Sequence, residues 1–300
     1  MKTILDYIYN YVKETNKLLL ILVTLLTTVF IFINYHFGMD EAIRKNSFGI
    51  KLLAWYGVNA AAFWLPYLFT RGLGLLKSPM GKQVYLLLLI APLIFALKLA
   101  LDLEFRISED PERNNFWNHV LYWPMLAGIT TCILYLVWKW QKYPSHFYGL
   151  STRGLKWKPY FLMLLIMIPL LSLASTRPEF QEAYPRIRSI LGFDADIPVS
   201  FTDKLLFELS YGSDFFTIEL FFRGFIILAF VRWAGPHAIL PMACFYCTIH
   251  FGKPLAECIS SFFGGMILGI LVYHTRSILG GLAVHLGIAW LMEIAGYCQM

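Results

Sequence analysis

Residues 18–35, with the sequence LLLILVTLLTTVFIFINY, contain no charged side chain and decide the fold class. As an α-helix this stretch would be about 27 Å long, close to the roughly 30 Å hydrocarbon core of a bilayer. The segment before it carries Lys13, Glu14 and Lys17 and has no small-residue cleavage site of the kind that ends a secretory signal peptide. We therefore predict a retained first membrane span.

Further apolar runs follow along the chain, and each one predicts a helix. They lie near 52–70, 84–101, 116–138, 160–175, 205–231, 237–250, 256–273 and 277–297. The run at 237–250 is short, and the Tyr211-Gly212-Ser213 stretch leaves open an interfacial helix that is broken there and followed by a true span. The sequence predicts an all-α fold, a polytopic transmembrane helix bundle of eight or nine spans.

The composition excludes an ordinary soluble domain. Of the 300 residues, 58% are hydrophobic and 15% charged, against roughly 45–50% and roughly 25% in soluble proteins. The net charge of +6 is explained by juxtamembrane Lys and Arg that face anionic headgroups. These basic residues form no stripe or known binding motif, so we expect the lipid bilayer, and no nucleic acid, as a partner. The five cysteines lie mostly in apolar runs, which argues against a disulfide framework.

Charge in the loops indicates the orientation. The loops at 71–83 and 139–159 are rich in Lys and Arg, whereas the loop at 102–112 is acidic. The positive-inside rule therefore places the N-terminus in the cytoplasm. We divide the chain by motif content into residues 1–200, N-terminal membrane helices without a recognisable motif, and residues 201–300, which carry the polar chemistry described next.

Ionisable side chains are concentrated in the apolar runs of the C-terminal third. Each costs roughly 2.5–3.5 kcal/mol to place at the centre of a bilayer, so such residues are usually paired or functional. After residue 200 they are Glu219, Arg223, His250, His285 and Glu293. The earlier runs contribute essentially Lys98 and His119, both near helix ends, where a long side chain can reach the interface. We therefore place the candidate site in the last third of the chain.

Glu219 and Arg223 stand one helical turn apart, so they can pair on one helix face. One interpretation is a buried ion pair that closes helix packing. The other is a carboxylate that the guanidinium keeps ionised, so that it can accept a proton from water. His250 and His285 lie on two further apolar runs, and their convergence with this pair would form a site.

Cys244-x-x-Cys247-x-x-His250 resembles the spacing of metal ligands. On a continuous helix, however, residues at i, i+3 and i+6 spread over about 160° of arc or more, so they cannot readily bind one ion. We interpret the two cysteines as small packing residues.

Three motifs occur in order: Glu219-x-x-x-Arg223-Gly224, then Tyr246-x-x-x-His250, then His285. Together with the flanking His250–Pro254 stretch and Gly264-Gly265, they resemble the bacterial branch of the CPBP intramembrane proteases. This is the family of CAAX-processing and bacteriocin-processing enzymes, also called the Abi family. The resemblance covers about residues 213–290.

The resemblance implies a membrane fold of about eight helices and a site of two glutamates, an arginine, two histidines and an asparagine. Carried over to this chain, Glu219 and His250 would activate water, Arg223 would orient Glu219, and His285 would help to stabilise the oxyanion. No cofactor is assigned with certainty. Family members have been described both as metalloproteases and as metal-independent enzymes, and Glu219, His250 and His285 would make a three-ligand set for zinc or another divalent metal.

Two positions depart from the family pattern. Ile218 stands where the first of two adjacent glutamates is usual, and Ala289 stands where an asparagine or similar polar residue usually follows the histidine by four positions. Losing a preorganised donor typically costs on the order of 10² to 10³ in rate. The sequence therefore leaves open a weakened or inactive protein.

These observations support three hypotheses. The leading one is an intramembrane endopeptidase that cuts a peptide or membrane-protein substrate, prenylated or not, in the inner membrane of a bacterium. The second is an inactive family member that acts as an immunity or scaffold protein. The third is a transporter or proton-coupled channel, against which stands the lack of a detectable inverted repeat.

Overall fold

The computed structural model describes residues 2–76, 79, 81–143, 146–190 and 200–299. Parts of the three loops at 71–83, 139–159 and 176–204 lie outside these residues. Within the described residues the chain is helical and forms no strand. The helices are α1 (Lys2–Glu14), α2 (Lys17–Phe37), α3 (Met39–Arg44), α4 (Phe48–Gly72), α5 (Lys82–Ala100), α6 (Pro111–Gln141), α7 (Trp157–Ala174), α8 (Pro178–Ala183), α9 (Arg186–Ile190), α10 (Phe201–Ile218), α11 (Phe230–Ala234), α12 (Ile239–Thr248), α13 (Leu255–Thr275) and α14 (Leu279–Tyr297). Between α10 and α11 lies a π-helical stretch, Glu219–Ala229, which we call the π segment.

Seven of the described helices are long and apolar enough to cross a membrane: α2, α4, α5, α6, α7, α13 and α14. They also present large apolar side chains on the outside, such as Leu53, which is 73% exposed. A soluble protein would bury such residues, whereas lipid accommodates them. The chain is therefore an integral membrane protein with an all-α, polytopic helical bundle, as the sequence predicted.

The span count is lower than the predicted eight or nine for two reasons. Helix α12 has only ten residues and is about 15 Å long, half of the hydrocarbon thickness. The predicted sixth span, 205–231, is divided between α10, which contains several charged residues, and the π segment. By length and composition the described residues thus contain seven candidate spans.

The helix break considered at Tyr211-Gly212-Ser213 is absent, since α10 runs through these residues. Gly212 instead allows close packing against α14. A Cβ at this position would lie 3.2 Å from a Leu286 methyl carbon and 3.3 Å from the Trp290 ring. The glycine interpreted as a breaker is therefore a contact point between two helices.

The chain forms two compact units that interleave along the sequence. The first comprises Met1–Leu101, Ile133–Gly154 and Leu220–Ile278, and the second comprises Asp102–Cys132, Leu155–Glu219 and Leu279–Met300. Each unit therefore contains residues from both parts of the chain, 1–200 and 201–300. The division between these parts was based on motif content, whereas the units are defined by packing.

In the first unit, α12 is buried along its whole length and packs against α2, α4 and α13. Aromatic rings fill the space around it. The rings of Phe95, Phe221, Phe222 and Phe245 meet edge to face or at a tilt, with ring centroids 4.9 to 6.1 Å apart. Such pairs add to the gain from burial. This core holds the segment that carries the second motif.

In the second unit, α14 packs against both α7 and α10. Two of its glycines lie where α7 approaches closely. A Cβ on Gly280 would come within 2.2 Å of the Tyr160 ring, and one on Gly287 within 2.7 Å of a Leu164 methyl carbon. The small residues thus let the helix that carries the third motif lie tightly against its neighbour.

Candidate active site

The first motif lies at the start of the π segment. Glu219 is its first residue, and Arg223 and Gly224 follow within it. The i→i+5 hydrogen bonding of a π-helix is rare and occurs mostly as single turns, frequently at functional sites. A stretch of eleven residues is therefore an unusual local structure, and no feature that we used in the sequence predicted it.

The side chain of Glu219 contacts His285 within the second unit. Its Oε1 lies 2.9 Å from Nδ1 of the imidazole. Glu219 is completely buried, whereas the His285 side chain is 14% exposed. The contact is a hydrogen bond from Nδ1–H to the carboxylate oxygen in the tautomer that leaves the second ring nitrogen, Nε2, with its lone pair.

Phe215 holds the imidazole of His285 from one side. Its ring meets that of His285 edge to face, with centroids 4.8 Å apart and planes at 82°. Phe215 precedes Glu219 by four residues, about one helical turn, so both lie where they can reach His285. The sequence analysis did not single out Phe215, although this spacing is the signal that could have found it.

Arg223 is also completely buried, and its guanidinium carbon lies 3.9 Å from the centroid of the Tyr246 ring. A planar guanidinium over an aromatic face is a cation–π contact, which is strongest where water is excluded. Gly265 on α13 makes room for this ring, since a Cβ there would lie 2.8 Å from Tyr246 Cδ1. The motif included Tyr246 without a role, and the structure shows that it contacts the motif arginine.

The glycine at position 224 is required by the close approach of another backbone segment. A Cβ at this position would lie 2.7 Å from the backbone oxygen of the buried Tyr148. Backbone cannot give way as a flexible side chain can, so only glycine fits beside Arg223 here.

His250 follows the end of α12 and is half-buried. Its Nδ1 lies 3.2 Å from the backbone oxygen of Tyr246, and the Tyr246 ring meets the imidazole edge to face. A carbonyl oxygen only accepts, so Nδ1 carries the proton and the lone pair of the neutral ring lies on Nε2. Tyr246 thus contacts both Arg223 and His250.

The turn after His250 is held by residues from the N-terminal part of the chain. Gly252 has φ +78°, and a Cβ there would lie 2.6 Å from Oδ2 of Asp40. Asp40 in turn accepts from Arg44 Nε at 2.8 Å, and the hydroxyl of Tyr35 donates to the backbone oxygen of Lys253 at 2.5 Å. Helices without a recognisable motif therefore shape the second motif.

The two positions that depart from the family pattern are both buried. Ile218 is buried, and Ala289 belongs to a hydrophobic cluster with Phe207, Tyr211 and Phe215. Glu293, one turn beyond Ala289, accepts from the backbone N–H of Arg186 at 2.9 Å. The structure thus places no polar side chain at either departing position.

The described residues contain no group of three or more His, Cys, Asp or Glu side chains that could hold a metal ion. Glu219, His250 and His285, the set that the resemblance offered for zinc, do not form such a group. Cys247 lies with its Sγ 3.7 Å from Sγ of Cys258 on α13, and Cys244 is buried.

The comparisons with known proteins agree with the motifs. Residues 211–291 match the family model described as type II CAAX prenyl endopeptidase Rce1-like. This range contains Glu219, Arg223, His250 and His285. No curated protein and no solved structure matches the chain. The chain is thus a polytopic membrane protein that carries, at residues 211–291, a domain of the Rce1-like CAAX endopeptidase family.

Proposed function

We propose that the protein is an intramembrane endopeptidase that hydrolyses a peptide bond of a membrane-associated protein. The observation that carries this proposal is the buried 2.9 Å contact between Glu219 and His285, which brings together two motif residues 66 positions apart. Burial of a carboxylate at a helix contact is costly without a paired partner. An acid–base function explains why this chain retains it.

We assign the proton transfers to His285 working with Glu219, and the 2.9 Å contact between them supports this assignment. Glu219 has no exposed surface, so water meets the partly exposed imidazole instead. Nε2 of the neutral ring takes a proton from water, the resulting hydroxide adds to the carbonyl carbon, and the Glu219 carboxylate stabilises the imidazolium that forms. That imidazolium hydrogen-bonds to the developing oxyanion and then passes its Nε2 proton to the leaving nitrogen as the C–N bond of the tetrahedral intermediate breaks, which leaves a carboxylic acid, an amine and the neutral imidazole. In this mechanism His285 transfers protons, whereas the family resemblance implied that His285 helps to stabilise the oxyanion.

Arg223 and His250 keep the roles that the resemblance implies, as predictions. Arg223 would hold Glu219 ionised from four residues further along the chain. His250 would contribute to water activation through Nε2. Both residues contact Tyr246, and each role is tested by its own variant.

The family match suggests the substrate class. An Rce1-like CAAX endopeptidase domain implies a protein substrate, and the membrane location restricts it to chains that reach the bilayer. We propose a peptide or membrane protein as substrate, with a prenylated C-terminal segment as the first class to test.

The proposal is tested by N-terminal labelling of membrane proteins from cells that express the wild type, Glu219→Gln, His285→Gln or Glu112→Gln at matched levels. Glu112 is an exposed glutamate in the first turn of α6, so its variant controls for the loss of one carboxylate. New termini should appear with the wild type and Glu112→Gln. With either site variant they should fall by roughly 10² to 10⁴, the contribution of a general acid–base group. Undiminished cleavage by both site variants would refute the proposal.

A second candidate function is that of an inactive family member that serves as an immunity or scaffold protein. The apolar burial of Ile218 and Ala289, where the family has polar groups, favours it. The double variant Ile218→Glu, Ala289→Asn separates the two candidates. New cleavage with this variant and none with the wild type would support the inactive protein.

A further inference from the structure

A second polar contact joins α10 to α14 away from the motif residues. It consists of Glu208 on α10 and Glu293 on α14, and Glu293 is only 1% exposed. The proposed peptidase chemistry uses neither carboxyl group. Both belong to the second compact unit.

Each of the two carboxyl groups has one oxygen with a donor. Oε2 of Glu293 accepts from the backbone N–H of Arg186 at 2.9 Å. Oε1 of Glu208 accepts from the hydroxyl of Tyr297 at 3.1 Å. These donors come from neighbouring elements and hold the two carboxyl groups in place.

The second oxygen of each carboxyl group has no such donor. Oε1 of Glu293 and Oε2 of Glu208 are buried, and no donor among the described residues reaches either. Glu293 lies one helical turn before Tyr297 on α14, so its carboxyl group and that of Glu208 face the same contact between α10 and α14. Two acceptors that approach without a donor are unfavourable, because each loses its bonds to water and gains none.

The surrounding charges do not remove this repulsion. Arg186 is the cation near Glu293, and Lys204 lies over the Tyr297 ring, 5.2 Å from its centroid. Arg186 can balance one negative charge of the pair. A second negative charge at the same helix contact is strongly disfavoured where water is excluded, and carboxyl groups that face each other in this way share one proton.

We propose that Glu208 and Glu293 share a single proton, and that this proton-binding site fastens α10 to α14. One carboxyl group then donates an O–H to the other, so that both remaining oxygens are satisfied. When the proton leaves, two like charges face each other between the helices. The Glu219–His285 contact joins α14 to the residue that directly follows α10, so loss of the proton also loosens that contact. The site itself does not depend on the proposed peptidase function.

Infrared difference spectroscopy of the full-length protein in detergent tests the shared proton directly. At neutral pH the wild type and Glu112→Gln should show the carbonyl band of a protonated carboxylic acid, with the shift expected on exchange into D₂O. The band should be lost in Glu208→Gln and in Glu293→Gln, because the new amide donates to the remaining carboxylate. Absence of the band in the wild type, or its persistence in both variants, would overturn the proposal.

Thermal unfolding as a function of pH gives a second readout. Above the unfolded carboxyl pKa of about 4.3, the folded protein holds one proton more than the unfolded chain until the pair ionises. Stability from this site therefore falls as pH rises through that interval. The midpoint temperature of the wild type should decline relative to Glu293→Gln as pH rises, and parallel curves would argue against the site. Neither readout requires cleavage, so both remain valid tests of the shared proton if the peptidase proposal fails. If a variant does not fold, the infrared spectrum of the wild type alone decides whether a protonated carboxyl group is present.

Discussion

At the scale of single residues, burial decides what each motif residue can do. Glu219 and Arg223 have no exposed surface, whereas the side chains of His250 and His285 are partly open. A buried charge requires a partner, and the structure supplies an imidazole for the carboxylate and an aromatic ring for the guanidinium. The two histidine side chains are therefore partly accessible from outside the protein, whereas the carboxylate and the guanidinium are buried behind their partners.

Tyr246 should be required for stability through its ring. Replacing it by leucine removes the face on which the Arg223 guanidinium lies, a contact worth about 2 kcal/mol when water is excluded. We expect Tyr246→Leu to lower the free energy of unfolding in detergent by about that amount or more. Tyr246→Phe, which keeps an aromatic face, should lose clearly less. Equal losses in the two variants would show that the ring face contributes nothing specific.

At the scale of elements, the start of α10 illustrates how one cap links two helices. Ser200 accepts from the backbone N–H of Asp203 and donates to its carboxylate, and Asp203 also binds Arg113 at 3.1 Å. Asp203 lies outside the seven candidate spans. The hydrogen bond from Arg113 holds the pKa of its carboxyl below the usual range, with a further contribution from Ser200.

Two measurements follow at this cap. Ser200→Ala should cost about 1 kcal/mol of unfolding free energy, the usual effect of losing an N-cap. Since the pKa of Asp203 is lower in the folded protein than in the unfolded chain, its contribution is present above the unfolded pKa and is lost as pH falls through the folded one. The stability difference between wild type and Asp203→Asn should therefore shrink on acidification. A difference that is constant over this acidic range would contradict the assignment.

The turn after α12 depends on glycine for two reasons at once. Gly252 combines φ +78° with the close approach of the Asp40 carboxylate. Gly252→Ala should therefore destabilise the protein by about 1–3 kcal/mol from backbone strain alone. Gly264→Ala is the matched control, since a Cβ there meets nothing within 4 Å on helix α13, and it should be neutral or stabilising by up to about 1 kcal/mol. Similar thermal shifts in the two variants would refute this explanation.

At the scale of the whole molecule, we expect the part of the chain with the motifs to depend on the N-terminal helices for folding. Helix α12 is buried by α2 and α4, which belong to the N-terminal part of the chain. Residues 201–300 expressed alone should therefore insert into membranes but remain sensitive to protease. Co-expression of residues 1–200 should restore resistance. A fragment that is resistant on its own would show that the N-terminal helices are dispensable for folding.

Much of the fold could be predicted from the sequence because a bilayer imposes strict requirements. Apolar runs such as residues 18–35 must be helical where no water satisfies the backbone, and the observed helix is Lys17–Phe37. The prediction was wrong where length and apolar content gave conflicting signals. Residues 237–250 are apolar but form a helix too short to cross, and Gly212 lies inside α10 because α14 packs against it.

The sequence by itself determined the membrane class, the helical architecture and the residues of the candidate site, because these depend on composition, run length and motif spacing. Only the tertiary structure decided which side chains meet. The contact of Glu219 with His285, the Tyr246 ring over Arg223 and the hydrogen bond from Tyr297 to Glu208 join residues far apart in the chain or on different helices. The π segment belongs to the same category. Such contacts depend on how helices pack, and packing is selected by the shape of many side chains together and not by any local pattern.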